Sequence, residues 1–432
     1  MRWVFTMVID NGDNMNHKEI DLAGIKNLPR RMVLVFGAIA LWSYLVSVQA
    51  AEAPTAQVNT TGLAVTDNAV KVGIVYSSSG TMAISETGSI QATRLAIEQI
   101  NEEGGVLGRK IEFIQEDGAS DWPTFAEKTR KLLINDKVAT IFGGWTSASR
   151  KAMLPILEQY NGLLYYPTYY EGLEQSKNVI YTGLSANQQV IPALNWTMQT
   201  KQAKTFYFMG SDYIWPRTTN KIARGYIEKN GGKIIGEDYY PLGHTQFNSV
   251  INKIKLRKPD VIFVTVIGGS NVAFYKQLKA AGIDMTREKP LVLTLSVTED
   301  ETRSIGGENI AGAYTSMQYF QSLTGTNNAN FVASFKKRWG DDLVVGAVTQ
   351  SAYLEPWFWK AAVEKAGSFD VDKVRDASLG LELNTAPQGY ARIHNNHHLW
   401  ANTLIGKARD DGQFDVIYET PKPIEPNPFP HD

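Results

Sequence analysis

The stretch ATIFGGWTSASRK (139–151) runs from an apolar strand pattern through two glycines and a polar turn into a helical pattern. A buried strand that feeds a helix is half of a βα unit. Ser147 stands where an N-cap belongs. The helix would then offer free backbone N–H groups and positive dipole character at the strand end. LLYYPTYYEG (163–172) repeats the strand-and-turn pattern close behind. Both turns are rich in Trp and Tyr and hold no nucleophile, which points to capture of a ligand rather than to chemistry.

The same alternation extends outward in both directions. VKVGIVY (70–76) is a buried β run, 89–101 carries apolar residues at helical spacing, KIEFIQED (110–117) is a strand and 125–135 a helix. VIYTG follows as a further short strand. The pattern restarts at KTFYFMG (204–210) and continues through KIIGEDYYPL, VIFVTVIGG and PLVLTLS. Strands this apolar, separated by helices, predict parallel sheets covered on both faces. Two such runs predict an α/β fold of two doubly wound lobes, with ligands at the carboxyl ends of the strands. Helical segments near 329–339 and 347–366 then lead into QGYARIHNN, HLWANTLIGKA and FDVIYET, which read as short antiparallel strands. The expected division is lobe one at 69–190 plus 323–372 and lobe two at 191–322 plus 373–420. Three crossovers would form a hinge, and 421–432 would be a tail.

Composition narrows the function classes. Lys and Arg number 43 against 44 Asp and Glu in 432 residues, so no net charge draws the chain to nucleic acid. The absence of Cys removes disulfides, thiolate metal sites and cysteine nucleophiles together. Lys26, Arg30 and Arg31 precede an apolar run from Met32 to about Val48, and Val48-Gln49-Ala50 fits a small-residue cleavage site. That order predicts a secretory signal within residues 1–50, behind an N-terminal extension; a retained membrane anchor is the alternative. Residues 51–68 are polar, contain Pro54 and show no apolar period, so they read as a flexible leader.

The segments VKVGIVYSSSGTMAISE, INEEGGVLGRKIE, GGWTSASRKAMLP, YYPTYYEG, GSDYIWPR and APQGYARIHNNHH together resemble the urea and short-amide branch of the periplasmic solute-binding proteins. That branch belongs with the leucine/isoleucine/valine-binding, type I periplasmic binding proteins. The likeness covers about residues 69–425. It implies a hinge-closing receptor, exported to the periplasm, that delivers urea to the permease subunits of an ABC-type importer. No cofactor is implied. Carried over by position, the resemblance implies ligand contacts at Trp145, Ser147, Tyr166, Thr168 and Tyr169 on one lobe. On the other it implies Tyr213 and Trp215, with Ser296 and Glu299 from a strand end that matches less cleanly.

The residues themselves agree on ligand type. Urea is planar and uncharged, with one carbonyl acceptor and four N–H donors, so its site needs a donor, several acceptors and flat walls. Ser147 and its neighbouring N–H groups would supply the donor. Tyr hydroxyls, backbone carbonyls or Glu299 would accept, and Trp145 and Trp215 would wall the cavity. Each of these residues has a plainer reading, as packing at a strand end or as a helix cap. His394, His397 and His398 lie in a turn-and-strand segment rather than on one helix face, and Glu116, Asp117 and Asp121 lack a regular cation-ligand spacing. No G-x-S-x-G elbow, Walker loop or H-E-x-x-H occurs. Three readings compete: a urea receptor, a receptor for short amides or branched-chain amino acids, and a secreted amidohydrolase. The last would need a nucleophile–base pair or a metal centre, and none can be named in the sequence.

Overall fold

The apolar runs become strands of two separate sheets in the computed structural model, which describes Thr6–Met7, Lys18–Glu19 and residues 53–430. Of the first unit, Met1–Glu52, it describes an antiparallel pairing of those two short strands. The expected signal and its cleavage site lie outside the described residues. All that follows concerns the second unit, Ala53–Asp432.

The first sheet runs Lys110–Asp117, Ala69–Tyr76, Ile141–Gly143, Leu164–Tyr166, Val179–Tyr181, every neighbour parallel. In the second sheet Tyr314–Met317, Leu291–Thr294, Val261–Thr265, Thr205–Ser211 and Lys233–Tyr240 are parallel in that order. Leu404–Ala408 and Phe414–Glu419 extend its other edge antiparallel. The short link between these last two strands is too brief for a parallel crossover. Val72, Ile74, Val75 and Tyr76 are buried, as are Ile262, Phe263 and Val264, because helices cover both faces of each sheet. This is the expected α/β architecture, with one doubly wound lobe around each sheet.

The chain passes from the first sheet to the second through the helix Ala186–Thr200. It returns after Tyr314–Met317 to the helix Ala347–Ala366, which packs along Ala83–Glu102 of the first lobe. The hairpin Arg392–Ile393 with Leu399–Trp400 lies beside the first sheet, where His398 bridges to Tyr181, before the chain enters Leu404–Ala408.

Two local expectations are corrected. The helix expected over 89–101 begins a turn and a half earlier, as Ala83–Glu102. Its added residues include Ser85 and Glu86, polar side chains that are nonetheless buried, so no apolar period announces them. The segment 53–68, expected to be flexible, is docked instead. Val58 and Val65 are buried, Thr60 Oγ1 donates to Asp370 at 2.6 Å and Phe369 N–H donates to the Val58 carbonyl at 2.6 Å. Two isolated valines enter the core without creating any periodic signal.

Candidate functional site

The first-lobe side of the site is built on Gly143 and Gly144, which have φ of +147° and +70°. A Cβ on Gly143 would stand 2.1 Å from the Val75 carbonyl oxygen, so only glycine lets the two strands approach this closely. The turn then presents Trp145 and enters the helix Ser147–Gln159. The N-cap is Thr146, not Ser147 as the spacing suggested: Thr146 Oγ1 accepts from the Ser149 N–H at 3.0 Å. Ser147 is the first helical residue. Its hydroxyl donates to Glu171 Oε2 at 2.6 Å and accepts from Arg150 at 3.2 Å. The donors left at this helix start are therefore the backbone N–H groups of Ser147 and Ala148, which have no intrahelical acceptor.

Tyr166 donates its hydroxyl to the Trp145 carbonyl at 2.7 Å, so it fixes the turn and is not free to contact a ligand through that hydrogen. Thr168 and Tyr169 follow it. Gly183 lies so close behind Thr168 that a Cβ would meet its carbonyl carbon at 2.2 Å. Thr168 Oγ1, Tyr169 OH and Trp145 Nε1 are buried and have no partner among the described protein atoms. Burial, and then the charge of Glu301, push the Tyr169 hydroxyl well above its ordinary range.

The second lobe contributes Tyr213 and Trp215, at the start of the helix Ile214–Lys229. Trp215 reaches across to Tyr169 with ring centroids 5.3 Å apart, and Tyr169 meets Trp145 edge-on at 5.9 Å. Tyr213 meets Trp122 of the first lobe at 6.2 Å. The lobes also meet where the Gly269 N–H donates to the Thr81 carbonyl at 2.9 Å. The cleft is thus closed, and Trp145, Ser147, Thr168, Tyr169, Tyr213 and Trp215 converge in it.

Ser296 and Glu299 are placed differently. The Ser296 hydroxyl donates to the Val266 carbonyl at 2.6 Å, within its own sheet. Glu299 Oε1 accepts from the Gln321 N–H at 2.8 Å, while its Oε2 is buried without a partner, and burial pushes the carboxyl up to about 8. Glu301, which completes a capping box with Thr298, is the acidic residue whose charge reaches Tyr169.

Glu86 and the group Arg150, Glu171 and Glu174 were not singled out from the sequence. Arg150 is fully buried, donating to Glu174 at 2.8 Å and to Glu171 at 3.4 Å. Its guanidinium lies between the rings of Tyr166 and Tyr170, 4.7 and 4.5 Å from their centroids. Burial raises the Glu174 carboxyl, but Arg150 and Lys151 outweigh that and hold it at about 2. Glu86 accepts from the Ser77 N–H through Oε2, and its Oε1 is buried without a partner. Burial pushes this carboxyl up to about 8 against the Ser77 hydrogen bond.

The remaining polar motifs are absorbed by packing. His398 stacks on Tyr181 with ring centroids 4.2 Å apart, and burial lowers it to about 3. Glu116 pairs with Lys131, Asp117 accepts from Ser78 and Ser79, and Asp121 caps the helix Trp122–Ile134.

A family model described as a periplasmic binding protein domain matches residues 70–432. The chain belongs to the periplasmic binding protein family. A Leu/Ile/Val-binding protein homolog 7 of Brucella abortus is 22% identical over 375 residues, covering 81% of this chain and 91% of that protein. A limonene hydroxylase of Geobacillus stearothermophilus is 35% identical over 125 residues. That match covers 29% of this chain, and the chain spans only 23% of that relative's length. The ABC transporter solute-binding protein RPA0668 of R. palustris, solved with benzoate, superposes with a TM-score of 0.74 at 19% identity. The match covers 83% of this chain and 98% of that one. LivJ of Streptococcus pneumoniae, solved with isoleucine, superposes with a TM-score of 0.72 at 16% identity, covering 83% of this chain and all of that one. Within this periplasmic binding protein, the likenesses establish the fold, and the side chains in the cleft carry any argument about ligand.

Proposed function

We propose that the chain is an exported receptor that captures urea, or an amide of similar size, and presents it to the permease of an ABC-type importer. The observation that carries the ligand assignment is the contact of aromatic rings from opposite lobes, Tyr169 with Trp215 at 5.3 Å. Rings that meet across the lobes favour a solute of a few heavy atoms over a branched side chain or a second aromatic ring. The orphaned Trp145 Nε1, Thr168 Oγ1 and Tyr169 OH, with the N–H groups at Ser147, supply the donors and acceptors that a small planar amide can satisfy. Arg150, the buried cation beside the site, is already engaged by two carboxylates and is not free to receive an acid.

A branched-chain amino acid is the second reading. It draws support from the free N–H groups of the helix start, which suit a carboxylate, and from the Leu/Ile/Val-binding homologue.

Closure is directly measurable. The site residues come from two lobes, so ligand should bridge them and stabilise the closed state, by about 2.7 kcal/mol at a hundredfold excess over Kd. Small-angle scattering is expected to show a smaller radius of gyration once urea is bound. An unchanged radius at saturating ligand would count against a hinge-closing receptor.

A further inference from the structure

Residues 421–430, expected as part of a tail, are docked, and they cross between the lobes. They leave the edge strand of the second sheet, Phe414–Glu419, and run to the first lobe. Pro421, Pro423, Pro426, Pro428 and Pro430 fix much of this backbone before it docks and leave it richer in carbonyl acceptors than in N–H donors. The acceptors are taken up in order along the chain. Asn187, in the first turn of the helix Ala186–Thr200, donates to the Glu425 carbonyl at 2.8 Å and accepts from the Asn427 N–H at 2.9 Å. Asn396, in the hairpin beside the first sheet, donates to the Pro426 carbonyl at 2.8 Å. The Leu173 N–H then donates to the Pro428 carbonyl at 2.6 Å. That last contact falls on the loop that follows Thr168 and Tyr169. Gly172 and Leu173 have φ of +77° and +58°, and a Cβ on Gly172 would stand 2.4 Å from the Pro428 oxygen. A leucine in the left-handed region persists only where its surroundings impose it. Glu171, on one side of this pair, accepts from the Ser147 hydroxyl at 2.6 Å, and Glu174, on the other, accepts from Arg150 at 2.8 Å.

We propose that segment 421–430 is a positioning strap for the ligand site. Its Pro428 carbonyl holds Gly172 and Leu173 in their left-handed turn, which aims Glu171 at Ser147. The loop that carries Thr168 and Tyr169 is thereby fixed against the start of the helix Ser147–Gln159. The effect on affinity rests on the receptor reading, whereas the hold on the turn does not. A turn already fixed in its binding geometry leaves less ordering for the ligand to impose, so it binds more tightly.

The test compares wild type with full-length Asn187→Ala, which removes both bonds of that side chain to the strap and takes no hydrogen bond from either ligand turn. Ligand-free hydrogen exchange and calorimetric titration of urea are the readouts. The variant should exchange about tenfold or more faster at the Leu173 amide, with Val261–Thr265 unchanged. It should bind urea about threefold or more weakly at unchanged stoichiometry. Wild-type exchange at Leu173 in a folded variant would overturn the proposal. Faster exchange spread equally into Val261–Thr265 would also overturn it, because general destabilisation predicts that result. Faster exchange at Leu173 with wild-type urea affinity would overturn the positioning role. A wild type that binds none of urea, acetamide or formamide would overturn the receptor reading, and exchange at Leu173 would still decide whether the strap holds the turn. If Asn187→Ala does not fold, Asn187→Asp takes its place, since it keeps the acceptor for the Asn427 N–H and loses the donor to the Glu425 carbonyl. It should move both readouts in the same direction, and unchanged exchange would again overturn the proposal.

Discussion

Replacing Arg150 with Met is expected to cost about 3–5 kcal/mol of stability, the usual penalty for breaking a buried ion pair by removing one partner. The guanidinium is fully buried, serves both Glu171 and Glu174, and lies between Tyr166 and Tyr170. Met fills much of the volume but leaves Glu171 without its cation and Glu174 with Lys151 alone, beneath the ligand turn. The pH dependence has a definite sign. Glu174 is held at about 2 against an ordinary value of 4.5, so its folded form favours ionisation. Its contribution, on the order of 3 kcal/mol, is complete above about pH 4.5 and is lost as pH falls through 2. In Arg150→Met the loss should begin at higher pH, because only Lys151 still opposes the effect of burial on that carboxyl. Scanning calorimetry across pH 2–7 measures both effects without using urea, the proposed ligand, as denaturant. A variant that melts with wild type at every pH would show that the pair contributes nothing.

Gly143→Ala should be comparably damaging, for a different reason. The new methyl would meet the Val75 carbonyl oxygen at 2.1 Å, at a backbone φ of +147° that L residues rarely adopt. The strand end carrying Trp145 would have to move, so the protein should lose about 3 kcal/mol or more, or fail to fold. Gly225→Ala provides the contrast. This glycine is exposed in the helix Ile214–Lys229, with nothing within 4 Å of a new Cβ, and should gain about 0.5–1 kcal/mol. If the two variants melt alike, the close approach of the Gly143 and Val75 strands is wrong.

The alternation of strands and helices was legible because each strand is buried on both faces and so reads as an unbroken apolar run, as in Val261–Thr265. The turns after Ile141–Gly143 and Leu164–Tyr166 were legible for a related reason, since Gly, Trp and Tyr clusters interrupt that apolar pattern. What escaped depends on contacts between distant parts of the chain. Glu86 sits on a polar helical turn that looks solvent-facing until the second lobe covers it. Arg150 reads as an ordinary charged helix residue, and its partners Glu171 and Glu174 follow 21 and 24 positions later in a loop. Ser147 and Thr146 are equally good caps by residue type. The hydrogen bond from Ser149 to Thr146, and the capture of the Ser147 hydroxyl by Glu171, separate them. The docking of 53–68 escaped because Asp370, which holds Thr60, is 310 residues away.

Calorimetric titration of urea, acetamide, leucine and benzoate into the protein tests the central claim most directly. Urea has four heavy atoms, and a ceiling of about 1.5 kcal/mol per atom gives a Kd of about tens of micromolar. The account predicts saturable heat at that affinity for urea or acetamide and far weaker binding of leucine and benzoate, which the touching rings of Tyr169 and Trp215 should exclude. Leucine or benzoate outcompeting urea would contradict it and assign the cleft to a carboxylate ligand.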